Sequence, residues 1–585
     1  MCRFHYSTMA AAVAVGLAGS VAVGGAQASL LLDWATVVNN ADAPPTATKG
    51  ERFFGYNQPS VNADGLVVFR ARARKPSGGG GGGGGGEPIR GVFTRDMSVS
   101  GAPVAVVADG TVPVPIPVYD GSGTSPTPLD TTFNETPAFP RIDANTRSLA
   151  FRAQHQPILE VVTGTDPDTG EPTTTRVGTA GVYAKPASTL VSGVTPLGAT
   201  EGFGYLAVPG AAPGTKFDQF PGAPSPDGNT VAFKGNFAGG TGVYYRDVVA
   251  AGGTSPVQRI AASGMAIPTD ALPGGAGEAV FGSTAPPSAA AGKVVFTGFD
   301  NEESPTAGGV FLAPRSPDPK LRTVAGFNTA VPTVTGATFN RFGEGLSFDG
   351  RYVGFWGAWG DEMRSVTVRC PTDGNAAIKD ACLAQDDSGI AGDGVYTLEV
   401  PRHQGVFLAD TRGDLDPAND VLSMIAQTGV ALGDTGIVLD DLLFWTFSGR
   451  PPDAGESEEG DAEPPRWRSS SFVAVDGQDV AFLGLTDAGV KGLYGRLNGL
   501  LDVILDTTMD GGLVDPAAAG MGIIGLGIER DGFRNGNLAI TASFANDEAS
   551  WAGIYLARIP EPVSLSLLGL GLAAMGLIRR RRGPR

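Results

Sequence analysis

One phrase recurs along this chain and limits what it can fold into: a polar-Gly turn, an alternating apolar run ending in Phe, a variable loop, then Gly-Val-aromatic. It first reads Asp64-Gly65-Leu66-Val67-Val68-Phe69 with Gly91-Val92-Phe93, then Ser148-Leu149-Ala150-Phe151 with Gly181-Val182-Tyr183. The cleanest copy is Ser225-Pro226-Asp227-Gly228-Asn229-Thr230-Val231-Ala232-Phe233 with Gly242-Val243-Tyr244. Lys293-Val294-Val295-Phe296 pairs with Gly309-Val310-Phe311, and Asp349-Gly350-Arg351-Tyr352-Val353-Gly354-Phe355 with Gly405-Val406-Phe407. The last two copies are Asp476 to Phe482 with Gly492-Leu493-Tyr494, and a degenerate Asn537-Leu538-Ala539-Ile540 with Gly553-Ile554-Tyr555. Asp-Gly supplies the positive φ of a tight turn, and the alternation after it is a half-buried strand, so each unit contains at least three antiparallel strands.

A further strand follows most units, as at Val104 to Val107, Arg259-Ile260-Ala261, Thr323-Val324-Ala325, Met424-Ile425-Ala426 and Val503-Ile504-Leu505, with a weaker one near Leu190-Val191. Four strands per unit at this period is the signature of a β-propeller blade. The seventh unit runs from Tyr555 directly into Pro560 with no such strand of its own, while Trp34-Ala35-Thr36-Val37-Val38 is a strand with no unit before it. Pairing the two would remove an open edge. The expectation is an all-β, seven-bladed β-propeller over residues 29–559, closed by its N-terminal strand, between a signal helix at 1–28 and a transmembrane helix within 560–585. The Ser225 to Phe233 phrase resembles the repeat of TolB-type propellers. That resemblance implies the architecture and leaves function open, with a partner-docking scaffold as one alternative.

The two ends carry addresses. Arg3 is a thin positive region, Met9 to Gly25 is uncharged, and Ala26-Gln27-Ala28 is a small-x-small cleavage site, so signal peptidase and the secretion machinery are expected partners and mature protein starts near Ser29. At the other end stand Pro560-Glu561-Pro562, sixteen uncharged residues from Val563 to Ile578, then Arg579, Arg580, Arg581 and Arg582. Sixteen is short of the roughly 20 residues a spanning helix needs, so the segment crosses a bilayer only if its ends adapt. The arginines would sit on the cytoplasmic side and everything before Pro560 outside. This tripartite tail resembles the PEP-CTERM sorting signal of Gram-negative bacteria. The resemblance implies recognition and removal of the tail by an exosortase, a membrane cysteine protease, and association with exopolysaccharide. A plain tail anchor is the alternative.

Charge narrows the partners. A net −18 and a pI near 4.7 oppose a phosphate-binding surface, which excludes nucleic acid as the expected ligand. Processing would remove Arg3, Arg579 to Arg582 and Arg585, six of the 42 basic residues, taking the charge to about −24. Of three cysteines, Cys2 leaves with the signal. Cys370 and Cys382 remain, an even count in an exported chain, so a disulfide closing that short loop is expected. A zinc site would need about four ligands, and no His or further Cys lies nearby.

Catalytic signals are sparse. Only His155 and His403 remain after processing, in different units, and no Gly-x-Ser-x-Gly elbow occurs. If there is enzymatic chemistry, carboxylates such as Glu135, Asp218 and Glu344 would carry it as the acid and base of a polysaccharide-active enzyme. Solvated or capping carboxylates explain the same residues. No resident cofactor is expected, although Asp410, Asp414, Asp416 and Asp420 form an acidic loop suited to calcium, and Asp166-Pro167-Asp168-Thr169-Gly170-Glu171 offers a second. Neither matches an EF-hand. The run of nine glycines, Gly78 to Gly86, and the acidic Asp453 to Glu463 read as solvated loops. The leading reading is therefore a non-enzymatic interaction protein: anchored first in the inner membrane, then at the cell surface or in the matrix, contacting exopolysaccharide or a surface protein.

Overall fold

The structure is a computed structural model that describes residues 32–74, 88–137, 139–249, 255–372, 376–385, 392–448 and 465–559. The repeated phrase becomes a repeated sheet. In the first, the strand order is Arg52–Tyr56, Leu66–Arg74, Ile89–Asp96, Ala105–Asp109, all antiparallel, with the short Ser60–Val61 also paired to Leu66–Arg74. Each repeated unit yields a sheet of this kind.

The register explains the wording of the phrase. Its terminal Phe and the aromatic of Gly-Val-aromatic face each other across neighbouring strands: Phe69 with Phe93, Phe151 with Tyr183, Phe233 with Tyr244, Phe296 with Phe311, Phe355 with Phe407 and Phe482 with Tyr494. Each of these residues is buried, and such cross-strand aromatic pairs add about 0.2–1 kcal/mol beyond Ala pairs. Glycine two residues before the second aromatic is required by space. A Cβ on Gly242 would stand 2.7 Å from Tyr244 Oη and 2.8 Å from Ala261 O, and one on Gly553 2.6 Å from both Tyr555 Oη and Val38 O. The next strand bulges at this same point in every unit, between the partners of Val92 and Phe93, Val182 and Tyr183, Val243 and Tyr244, Val310 and Phe311, Val406 and Phe407, and Leu493 and Tyr494.

Trp34–Asn39 pairs antiparallel with Ser550–Arg558 as the edge of the last sheet, and its own register shift falls opposite Tyr555 and Ile554. It thus occupies the position that each other unit fills with its own following strand. Val37 and Val38 have no exposed surface.

The expected fold class needs correction. Among the described residues the chain is an array of separate small antiparallel sheets with no closed barrel or propeller. The phrase specifies hairpins, whose hydrogen bonds are satisfied inside one sheet, and does not specify how sheets are disposed. Two sheets lie outside the repeat altogether: Thr127–Pro128 with Leu159–Thr165 and Pro172–Val177, and Phe444–Ser448 with Arg466–Ser470. No helix of the described residues is long and apolar enough to cross a membrane. The expected signal helix and transmembrane helix, with Ala26, Ala28, Pro560 to Pro562 and Arg579 to Arg582, lie outside the described residues, as do Gly78 to Gly86 and Asp453 to Glu463.

The excursion between Gly357 and Gln404 is an extended hairpin, Tyr352–Arg369 against Val395–Asp410, bearing the helix Ala376–Leu383. Cys370 and Cys382 are disulfide-bonded, with Cα atoms 5.9 Å apart. Cys382, Tyr396 and Phe447 form a small core of their own, against which the half-buried Trp467 packs.

Candidate functional site

The polar side chains that matter are arginines, which the sequence reading did not single out. Arg141, on the short strand Arg141–Ile142, has no exposed surface. It pairs with Asp531, donates to Pro287 O at 2.9 Å and to Ser288 Oγ at 3.1 Å, and stands 4.0 Å from Glu529. Burial pushes its guanidinium down to about 10, opposed by the charge of Asp531, so it stays protonated at neutral pH. Arg534 also pairs with Asp531 and donates to Val475 O at 2.6 Å and Phe348 O at 3.1 Å. Val61 N–H donates to Asp531 O, Ser347 Oγ to Arg530 O, and Val475 N–H to Ser347 Oγ. Segments belonging to six sheets are tied into one buried polar hub. Its donors and acceptors are spent on one another, so it is a fastening rather than a reaction centre.

A second tie repeats at the turns. Asp143 accepts from Gly228 N–H, Asp227 from Gly292, Asp349 from Gly477 and Asp476 from Gly536, at 2.6–2.9 Å. The Asp of one turn therefore satisfies the backbone of the next unit's turn, a role that spacing within one unit does not reveal.

Each candidate calcium carboxylate has a partner within the chain. Asp410 is held by Arg351 through Nε at 2.7 Å and Nη2 at 2.8 Å, and by Arg412 at 3.1 Å. The hydrogen bonds from Arg351 push its carboxyl down to about 2 against the opposing effect of burial. Asp420 pairs with Arg322. Asp414 accepts from the Asp416 N–H at 2.9 Å, and Asp416 caps a short 3-10 turn by accepting from Ala418 N–H at 3.0 Å. Among the described residues no three of His, Cys, Asp or Glu gather as a metal-holding group. In the second acidic loop Asp166 accepts from Asp168 and Thr169 N–H, as an ordinary hairpin turn does.

The three candidate acid–base carboxylates fall on three sheets. Asp218 lies on Phe217–Gln219, and Glu344 is exposed on Phe339–Phe348. Glu135, on Phe133–Glu135, is where charge concentrates. Arg70 Nη2 donates to its Oε1 at 2.6 Å, while Arg72 Nη2 and Arg90 Nε each stand 3.5 Å from its Oε2. Burial pushes the Glu135 carboxyl up, but the hydrogen bond and charge of Arg70 outweigh it and hold the group below its usual range. A carboxylate so held is a poor proton donor. One signal for this cluster was present in the sequence: Arg70-Ala71-Arg72-Ala73-Arg74 places three arginines on one face of a strand. Glu135 and Arg90 meet them only through strand and sheet pairing.

No protein-family model matches the chain, and no curated protein matches it.

Proposed function

We propose that the chain is an exported, exosortase-processed interaction protein of the cell surface or extracellular matrix, non-enzymatic and associated with exopolysaccharide. The observation that carries the reading is the ordered tail, Pro560-Glu561-Pro562, an uncharged stretch, then Arg579 to Arg582, opposite a secretory signal ending at Ala26-Gln27-Ala28. The low histidine count and the arginine-held state of Glu135 favour binding over acid–base chemistry. A processed body of about −24 suits an exported protein that must stay soluble among acidic polymers.

The test is intact mass of the exported protein from two otherwise identical hosts, one with and one without an exosortase. The expected result is a C-terminus near Pro562 only where the exosortase is present, with the protein recovered in the polysaccharide fraction. Identical full-length tails in both hosts would reduce the segment to a plain anchor and remove the matrix role.

A further inference from the structure

The arginines around Glu135 invert the sign of an acidic molecule at one place. Three guanidiniums meet one carboxylate, and only Arg70 hydrogen-bonds it, donating also to Asn57 Oδ1 at 2.5 Å. Arg72 and Arg90 are direct cross-strand partners, an arrangement that like charges oppose. Both reach toward Glu135 at ion-pair rather than hydrogen-bond distance. Their side chains are 44% and 35% exposed, against 9% for Arg70.

The buried side of the cluster is short of partners. Arg70 Nε, Arg90 Nε and Thr136 Oγ1 are all buried without a hydrogen-bond partner, and Thr136 sits next to Glu135 with 1% exposure. Glu135 alone therefore does not saturate the guanidiniums around it, and the capacity a ligand can reach lies on the exposed parts of Arg72 and Arg90. There is room beside it. Gly55 faces Arg72 from the adjoining strand, and a Cβ there would meet only Arg72 Cβ, at 3.9 Å. Burial, and then the charge of Arg70, push the Arg72 guanidinium down, a strain that a second anion relieves.

We propose that Arg72 and Arg90, backed by Arg70, bind the carboxylate of an acidic sugar residue, with Gly55 leaving space for the ring. The planar guanidinium fork matches a carboxylate bidentately. The net charge of −18 disfavours polyanions charged more densely than one carboxylate per sugar ring, such as nucleic acid. This deepens the matrix reading by naming the class of glycan, and it rests on that reading.

The test is calorimetric titration of the full chain with a short oligogalacturonate, with the uncharged galactose oligomer and with sodium acetate. Binding of the oligogalacturonate, weakened by salt and absent for the uncharged oligomer, is expected. Arg72→Ala and Arg90→Ala should each weaken it about tenfold, as losing a charge-assisted contact does. Glu135→Gln should strengthen it, because the competing carboxylate is removed. A thermal midpoint accompanies each variant, and if Glu135→Gln unfolds, the two exposed arginine variants decide alone. No binding, or binding that neither arginine variant alters, overturns the site. Acetate bound as tightly as the oligomer overturns the sugar and leaves a simple anion site. Processing is read separately by intact mass, so failure here leaves the sorting result standing.

Discussion

Asp531 holds two arginines in a place that water does not reach, and the cost of losing it follows from that position. Arg141 and Arg534 both pair with its carboxylate, and their side chains are 0% and 6% exposed. Asp531→Asn leaves Arg534 without its counter-charge and Arg141 with only Glu529 at 4.0 Å, and removing one partner of a buried pair costs about 3–5 kcal/mol. Urea unfolding should show the loss as a lower midpoint. Arg176→Ala, which breaks an ion pair whose arginine is 67% exposed, should cost under about 1 kcal/mol. A second residue-scale effect is pH dependence. The Asp410 carboxyl lies at about 2 in the folded chain against an ordinary 3.8. A depressed carboxylate stabilises the fold above its unfolded value and stops doing so as pH falls through the folded one. The stability gap between the natural chain and Arg351→Met should therefore be full above pH about 4 and close towards pH about 2. A constant gap across that window would assign Arg351 to packing alone. None of this was legible beforehand, because Arg141, Asp531 and Arg351 carry no local pattern and acquire partners only when distant strands meet.

Elements were more legible. The Asp-Gly turns, the alternating runs and the Gly-Val-aromatic phrase located central strands correctly, since both turn chemistry and the two-residue period are local. The sequence also marked Trp34 to Val38 as an outer strand without a unit, and Trp34–Asn39 does lie against Ser550–Arg558. Deleting residues 29–45 would strip the cover from Ile554 and Leu556, both buried, and leave an unpaired edge. We expect a lower melting transition and concentration-dependent aggregation by light scattering; an unchanged transition would mean that the strand only decorates the sheet. The bridge at Cys370 and Cys382 stands differently. Its loop is short, with a sequence separation of 12, so closure entropy limits its contribution to at most about 3 kcal/mol. Cys382 packs with Tyr396 and Phe447 in a small cluster of its own. The double variant Cys370→Ser, Cys382→Ser should open this excursion to limited proteolysis while the main transition barely moves. What the phrase could not supply was the disposition of whole sheets and the two sheets outside the repeat, because those depend on loops that share no wording.

At the scale of the molecule, the body and the ends answer different questions. The body shows buried polar ties and one inverted patch of charge, whereas the proposed address is written in short segments read by other proteins. That division gives a separable prediction. From sequence alone, proline on both sides of Glu561 would disfavour regular backbone pairing, which is what a protease-accessible motif requires. Glu561→Ala should leave insertion intact and block cleavage, so the full-length chain accumulates in the inner membrane. Replacing Arg579 to Arg582 with Ser should act earlier, because sixteen uncharged residues are marginal as a span and lose their orientation signal with the positive cluster. That variant should escape the membrane fraction with its tail uncut. Membrane fractionation with intact mass separates the two defects: retained and uncut for Glu561→Ala, not retained and uncut for the arginine variant. If both variants are processed like the natural chain, neither the motif nor the arginines direct sorting, and the body's acidity alone would have to account for any association with the matrix.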